Sequence, residues 1–236
     1  MQDSGLIAGS AIPSPVSYAD VVTFSTQKTL RGPRGCGVIL CKEALGKKID
    51  RGVFPRIQGG PKGDMLAARG VLFLELMQPE FRTYAHQVVK NAKALAKGCA
   101  DEGMRLITGG TDTHMVMLDV TPVIANGQLA ETLLASVGII TNKNMIPYDT
   151  LPPSLGSGLR IGSPTMTTRG AKEEEMYEIG RLLGKVLKNK DNEEVLEQVK
   201  QEVRQLAVSH PMFSSEWMPE KIRAQFDAMY CHETFE

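Results

Sequence analysis

The spacing of apolar side chains predicts a series of amphipathic helices along the chain. Between Glu80 and Gly103 apolar residues recur at intervals of one and three, which places them on one face of a helix that Gly103 would end. They are Val88, Val89, Ala92, Leu95, Ala96 and Cys99. The same reasoning predicts helices over residues 43–50, 64–77 and 128–137, and two closing helices that begin before Met176 and before Val195.

Short β-rich runs lie between these helices and predict strands. They cover residues 20–26, 36–41, 114–120, 139–141 and 159–161. Residues 54–63 contain two prolines and three glycines, so we expect no regular element there. The mixture of strands and helices predicts an α/β fold.

A division near residues 79–80 separates two parts of different character. Residues 1–79 offer two or three strands and two helices, too little to bury a good core alone. We therefore expect them to be a remnant of a larger domain whose apolar surface is covered by dimerisation or by another segment. Residues 80–236 are predicted to form a small α+β domain in which helices pack on a short, mainly antiparallel sheet.

Composition and charge narrow the class of protein. The 27 basic and 27 acidic residues among 236 give no net charge, which argues against binding to nucleic acid or to an acidic membrane. No apolar run approaches the ~20 residues that span a bilayer, and no secretory signal is visible, so we expect a cytoplasmic protein. The histidines lack metal-ligand spacing and no CxxC pair occurs, so no metal site is predicted and Cys36, Cys41 and Cys99 are expected to be small buried hydrophobes.

Lys28 is the first candidate for chemistry. It follows a predicted strand in the segment Ser25-Thr-Gln-Lys-Thr-Leu-Arg-Gly-Pro-Arg34, where hydroxyls and two arginines make an environment for an anion. Neighbouring cations favour the uncharged amine, which is the nucleophilic form. A lysine beside phosphate-binding groups is what a Schiff base with pyridoxal phosphate requires. The alternative is a solvated lysine after a strand.

Three further segments could bind anions. Arg160 lies inside a short apolar strand, where an unpaired guanidinium is costly, so it either forms a salt bridge or clamps a substrate carboxylate. Gln58-Gly-Gly-Pro61 could present backbone amides to an anion or form a plain turn. Arg169 precedes an acidic helix start and could serve an anion or offset those acidic residues.

The motifs together resemble the serine hydroxymethyltransferase family. They are Thr26-Gln-Lys-Thr-Leu-Arg-Gly-Pro-Arg-Gly35, Phe54-Pro-Arg-Ile-Gln-Gly-Gly-Pro61, Gly109-Gly-Thr-Asp-Thr-His114, Asn142-Lys-Asn144, Ser157-Gly-Leu-Arg-Ile-Gly162 and Thr168-Arg-Gly170. The resemblance extends to about residue 210. It implies the C-terminal part of a fold-type I transferase that depends on pyridoxal phosphate: the end of the large domain plus the small domain. It also implies interconversion of serine and glycine with tetrahydrofolate as cosubstrate, by a homodimer or a dimer of dimers.

The resemblance assigns roles to individual positions. Lys28 matches the Schiff-base lysine and Arg160 matches the clamp on the substrate carboxylate. Gly60 matches the glycine whose amide reaches the cofactor phosphate across the dimer interface, and Asn144 matches a folate-contacting position. The cofactor-binding set also includes Thr26 and Arg34, and the substrate-binding set includes Arg169.

The chain departs from the family at several positions. Gln27 stands where the family has histidine, and the aspartate that pairs with the pyridinium nitrogen would fall just before Met1, with a family histidine at Gln2. The stacking aromatic ring and the proton-transfer glutamate belong to a preceding half, so we expect this chain to be inactive alone. The alternatives are a non-catalytic remnant for dimerisation or regulation, and a related aldolase or α-methylserine hydroxymethyltransferase.

Overall fold

The computed structural model describes residues 2–212, 220 and 222–225. Its N-terminal part begins with a short helix α1 (Ser4–Ala8) and an antiparallel pair of strands, β1 (Val21–Ser25) and β2 (Gly37–Cys41). Helix α2 (Glu43–Arg51) runs into a helical turn over Gly52–Ile57 that is kinked at Phe54, and helix α3 (Gly63–Leu76) follows. The kink follows from Pro55, which cannot donate a backbone hydrogen bond.

A four-stranded antiparallel sheet organises the remainder of the described chain. After helix α4 (Pro79–Asp101) come strands β3 (Arg105–Leu106) and β4 (Met115–Asp119), helix α5 (Gly127–Ser136), and strands β5 (Asn142–Asn144) and β6 (Gly158–Gly162). The strand order is β3-β4-β6-β5. Helices α6 (Pro164–Thr168), α7 (Glu173–Lys188) and α8 (Glu193–Ser209) complete the element order.

Helix α4 is shared by two hydrophobic clusters. Its first half contributes Phe81, Tyr84, Ala85 and Val88 to an N-terminal cluster with Leu6, Leu30 and Leu72. Its second half, from Leu95, enters a larger C-terminal cluster with β4, β6, α5, α7 and α8. The predicted division at residues 79–80 falls at the start of this helix. The helix packs against residues from both sides of that division.

Helices α4 and α7 approach each other closely through glycines. A Cβ atom at Gly98 would lie 2.1 Å from the carbonyl oxygen of Tyr177, and one at Gly180 would lie 2.5 Å from that of Leu95. Only residues without a side chain allow this separation, so the two glycines set the packing distance of the pair.

Helix α3 is poorly covered. Leu72 is its one buried residue, whereas Val71 and Leu74 are 59% and 64% exposed. Further apolar side chains of this part of the chain are also exposed, namely Val21, Ile39, Leu40, Phe54, Ile57, Leu66, Phe73 and Met77. This agrees with the expectation that residues 1–79 leave apolar surface uncovered.

Most predicted elements are present, with some shifts. The strand predicted at 139–141 lies instead at β5, because the amide of Ile139 still bonds to Leu134 at the end of α5 and the chain becomes extended only afterwards. Cys36 and Cys99 are buried as predicted, but Cys41 is only half-buried because it ends the exposed strand β2. None of the helices over the described ranges combines the length and apolar character that a membrane crossing needs.

Candidate active site

The turn after β1 presents Lys28. The Thr26 amide bonds to Cys36, the Gly32 amide bonds to Thr26, and the Arg31 amide donates to the Lys28 carbonyl at 2.9 Å, which closes the turn. The Thr26 hydroxyl is buried and donates to the Pro33 carbonyl at 2.7 Å. The Lys28 side chain is exposed, and within the described residues its amine has neither a hydrogen bond nor an ion pair. The turn therefore offers a free primary amine on a fixed backbone.

Arg31 attaches this turn to helix α4. Its guanidinium lies over the Tyr84 ring, 4.2 Å from the centroid, and 5.8 Å from the centroid of Phe81. Arg31 adopts a left-handed backbone with φ of 64°, which is unfavourable for a residue with a side chain. The cation–π contact helps to offset that cost.

Arg160 lies on the neighbouring structural unit, in β6. It pairs with Met117 of β4 and Asn142 of β5, and its half-buried side chain has no acidic partner among the residues described. An open cavity of about 890 Å³ adjoins it and is lined also by Lys93 and the 108–113 loop. A half-buried guanidinium beside an open cavity can bind a carboxylate by donating two parallel hydrogen bonds to it.

His114 joins the start of the chain to the sheet that carries Arg160. Its ring is nearly buried, and its Nδ1 atom lies 2.8 Å from the Oδ1 atom of Asp3. Burial is the main cause that lowers the pKa of His114; the Asp3 carboxylate raises it, and the charges of Arg160 and Lys28 lower it further. Thr29, next to Lys28, is hydrogen-bonded to the start of the chain, and Asp3 at that start contacts His114. The His114 carbonyl in turn accepts from the Ser163 amide just after β6, so the fold brings the Lys28 turn and β6 to the same region.

Gln27 provides a test of whether this place suits a polar cofactor. Its Oε1 atom is buried and has no hydrogen-bond partner. A buried acceptor without a partner, in the residue that precedes Lys28, favours a site that a polar group would complete. Together with the unpaired Arg160, these residues fit the lysine-bound pyridoxal phosphate that the resemblance implies.

The loop between β5 and β6 is held by one carboxylate. Asp149 accepts hydrogen bonds from the Ile146 amide at 3.1 Å, the Leu151 amide at 2.9 Å and the Ser157 amide at 2.8 Å. The Ser157 hydroxyl donates at 2.6 Å, and this bond is the largest cause that holds the pKa of Asp149 below its usual range. The loop therefore has a fixed shape beside Asn144, whose side-chain amide donates to Met145.

The other positions singled out in the sequence lie in varied surroundings. Gly60 is exposed, with open space where a Cβ atom would lie, and Arg34 is exposed on the turn that also carries Lys28. Arg169 donates to the carbonyls of His210 at 2.5 Å and Ala207 at 2.8 Å, so it caps the end of α8. No cluster of His, Cys, Asp and Glu within the described ranges could hold a metal ion.

Three residues of this site were not predicted from the sequence as functional. His114 ends the Gly-Gly-Thr-Asp-Thr-His segment, which was a signal, but a lone histidine before a strand has no spacing that reveals its role. Asp3 and Asp149 had no local signal, because their partners are fixed only by the fold.

Comparison with known proteins defines the class of protein. The family model described as Serine hydroxymethyltransferase matches residues 2–183. The chain therefore belongs to the serine hydroxymethyltransferase family, a family of transferases.

Three curated relatives all carry the name serine hydroxymethyltransferase. The chain is 49% identical to the one from Coprothermobacter proteolyticus over 89% of its length, 47% identical to that from Acidobacterium capsulatum over 94%, and 48% identical to that from Koribacter versatilis over 89%. The matches cover 50%, 51% and 49% of these relatives, so the chain spans about half the length of each.

Proposed function

We propose that this chain is the lysine-bearing C-terminal part of a pyridoxal phosphate enzyme that interconverts serine and glycine with tetrahydrofolate. One observation carries the proposal: the Asp3–His114 contact joins the Lys28 turn to the sheet of Arg160, and neither cation has an acidic partner in the described chain. An enzyme that binds an amino acid through its nitrogen and its carboxylate can use an amine and a guanidinium brought to one region in this way. The family membership supplies the reaction.

Lys28 would hold the cofactor aldehyde covalently and release it to the amino group of the substrate. When bound there, pyridoxal phosphate supplies a conjugated ring that accepts electrons from the α carbon of an amino acid. Arg160 would hold the substrate carboxylate, which fixes the direction of the bond that breaks. Such orientation can contribute several kcal/mol to lowering a barrier.

The remaining assignments belong to the same proposal. Thr26 and Arg34 would surround the cofactor, the former by shaping the turn through its buried hydroxyl. Gly60 would offer its accessible backbone amide to the cofactor phosphate across the dimer interface. Asn144 would contact the folate beside the Asp149 loop. Arg169 follows α6 and caps the end of α8. It would belong to the residues that surround the substrate by fixing the position of the segment after β6.

A homodimer, or a dimer of dimers, is part of the proposal. The exposed apolar face of α3 and of the adjoining β1–β2 pair supports it, because a patch of this kind usually marks an interface. We expect little or no serine cleavage by these 236 residues alone, since the family members they match are about twice as long. The cytoplasmic location stays a prediction from the sequence.

Reductive trapping tests the proposal directly. The chain is incubated with pyridoxal phosphate and borohydride, and the modified lysine is mapped by mass spectrometry. We expect Lys28 to carry the label and Lys28→Ala to lose it. Lys42→Ala, which removes an exposed lysine that pairs with Asp20, is the control and should label normally. Uniform labelling of surface lysines, or none, would contradict a cofactor site at Lys28.

The same experiment separates one alternative from the proposal, and amino-acid displacement of the lysine separates the other. A non-catalytic remnant kept for dimerisation or regulation would not label Lys28 selectively. A related aldolase or α-methylserine hydroxymethyltransferase would label it, and would then differ in which amino acid displaces the lysine. Gln27 keeps this alternative open, because it changes the group next to Lys28 and leaves a buried acceptor without a partner.

A further inference from the structure

Hydrogen bonds connect helix α1 and the residues before it to the turn that carries Lys28. The Thr29 hydroxyl donates to the Gln2 carbonyl at 2.7 Å and accepts from the Gly5 amide at 2.9 Å. The two backbones touch, since a Cβ atom at Gly5 would lie 2.1 Å from the Thr29 carbonyl oxygen. Because Thr29 is next to Lys28, the start of the chain and the lysine turn move as one unit.

Asp3 connects this unit to the four-stranded sheet. It lies between Gln2 and Ser4, and its carboxylate reaches the Nδ1 atom of His114, a residue 111 positions further along the chain. The His114 side chain is 9% exposed and that of Asp3 is 34% exposed, so solvent screens the contact only in part. Because a carboxylate oxygen can only accept, the contact assigns the proton to Nδ1, which donates to Asp3 in a charge-assisted hydrogen bond.

His114 is itself fixed to the strand that carries Arg160. Its carbonyl accepts from the Ser163 amide at 3.1 Å, and the next residue, Met115, pairs with Gly162. Arg160 lies two residues before Gly162 on the same strand. A continuous series of contacts therefore runs from the Lys28 turn through Asp3 and His114 to Arg160.

We propose that the Asp3–His114 contact is a positioning device that sets the separation between the Lys28 amine and the Arg160 guanidinium. The inference rests on the proposed function, in which both groups bind one amino acid. Neither Asp3 nor His114 needs to touch the substrate, since their role is to hold the two units at a fixed separation. Binding of glycine, which carries both an amino group and a carboxylate, depends on that separation. Binding of methylamine does not, because it carries only the amino group.

The test measures how well each amine displaces Lys28 from the cofactor. The complete chain is loaded with pyridoxal phosphate, and glycine or methylamine is added before borohydride. When an amine replaces Lys28 at the aldehyde carbon, the lysine amine is released and escapes labelling. The concentration that halves the Lys28 label is recorded. This readout does not require turnover.

Four variants separate positioning from simple stability. Asp3→Leu and His114→Leu remove the contact. His114→Asn places an amide nitrogen close to the position of Nδ1, and Asp3→Asn keeps an acceptor for the imidazole. The midpoint of urea unfolding is measured for each variant, so that unfolding is not mistaken for a changed separation between the Lys28 amine and the Arg160 guanidinium.

We expect both leucine variants to need about tenfold more glycine for half protection, with methylamine unchanged within about twofold. Both asparagine variants should stay close to the wild type. Equal glycine protection in all variants would overturn the positioning role alone, and equal weakening towards glycine and methylamine would do the same. Absence of any Lys28 label in the wild type would overturn the proposed function and this inference with it. If His114→Leu fails to fold, Asp3→Leu decides the matter, because Asp3 is partly exposed.

Discussion

The glycine contact between α4 and α7 gives a prediction whose size follows from the structure. A methyl group at Gly98 would lie 2.1 Å from the Tyr177 carbonyl oxygen, whereas ordinary contacts need more than 3.4 Å. The carbonyl oxygen and the Cα atom that would carry the methyl group both belong to helix backbones. The helices must therefore separate by about 1 Å at this point. Overpacking of this kind costs about 1–3 kcal/mol, and the greater helix preference of alanine returns about 1 kcal/mol. The steric term is at the upper end, since no flexible side chain can yield.

We therefore expect Gly98→Ala to lower the free energy of unfolding by about 2 kcal/mol. For a chain of this size that corresponds to a melting temperature about 4–8 °C lower. Gly46→Ala in α2 is the matched control, because nothing lies within 4 Å of a Cβ atom there. It should stabilise the protein by about 0.5–1 kcal/mol. The assay is thermal unfolding followed by circular dichroism. A Gly98→Ala protein that melts at or above the wild-type temperature would refute the reasoning.

Three further predictions concern the site and the core. In the assembled enzyme, Arg160→Ala should raise the KM for serine and lower kcat together, measured by steady-state kinetics, and an unchanged KM would contradict the clamp. Asp149→Asn should be less stable than the wild type near neutral pH. The difference should shrink as the pH falls below about 4, because a carboxyl with a lowered pKa stabilises only while it is ionised; urea unfolding at both pH values checks this. Burial raises the pKa of the Cys99 thiol to about 12, so a thiol reagent at neutral pH should label half-buried Cys41 before Cys99. Equal labelling rates for these two thiols in the folded protein, measured by mass mapping, would contradict this.

The sequence predicted the long elements well and the short ones poorly. The apolar spacing from Val88 to Cys99 identified α4, because a stripe of that length has one periodicity. Helix α1 was missed, since five residues carry no periodic signal and this helix is held by Thr29 from elsewhere in the chain. β5 was displaced by three residues because apolar Ile139 and Ile140 favour a strand locally, while pairing with β6 selects Asn142–Asn144.

The candidate site divides in the same way. Lys28 and Arg160 were proposed from local chemistry, since a lysine among hydroxyls and arginines, or an arginine in an apolar strand, is unusual within a few residues. The contact of Asp3 with His114 could not be found, because residues so distant in sequence show no local pattern of their proximity. The role of Asp149 also depended on the fold, which brings Ser157 back to it.

The sharing of α4 between two clusters limits how the gene can be divided. A polypeptide that started at residue 80 would keep the whole C-terminal cluster but would expose the faces of Phe81, Tyr84 and Val88 to water. A polypeptide that stopped there would leave Leu6, Leu30 and Leu72 without their main support. A break inside the 108–113 loop would leave α4 intact, although it would separate that helix from the sheet on which its second half packs. Any rearrangement of this gene that kept the protein folded would therefore have to carry the 23 codons of α4 together with the segments on both of its sides.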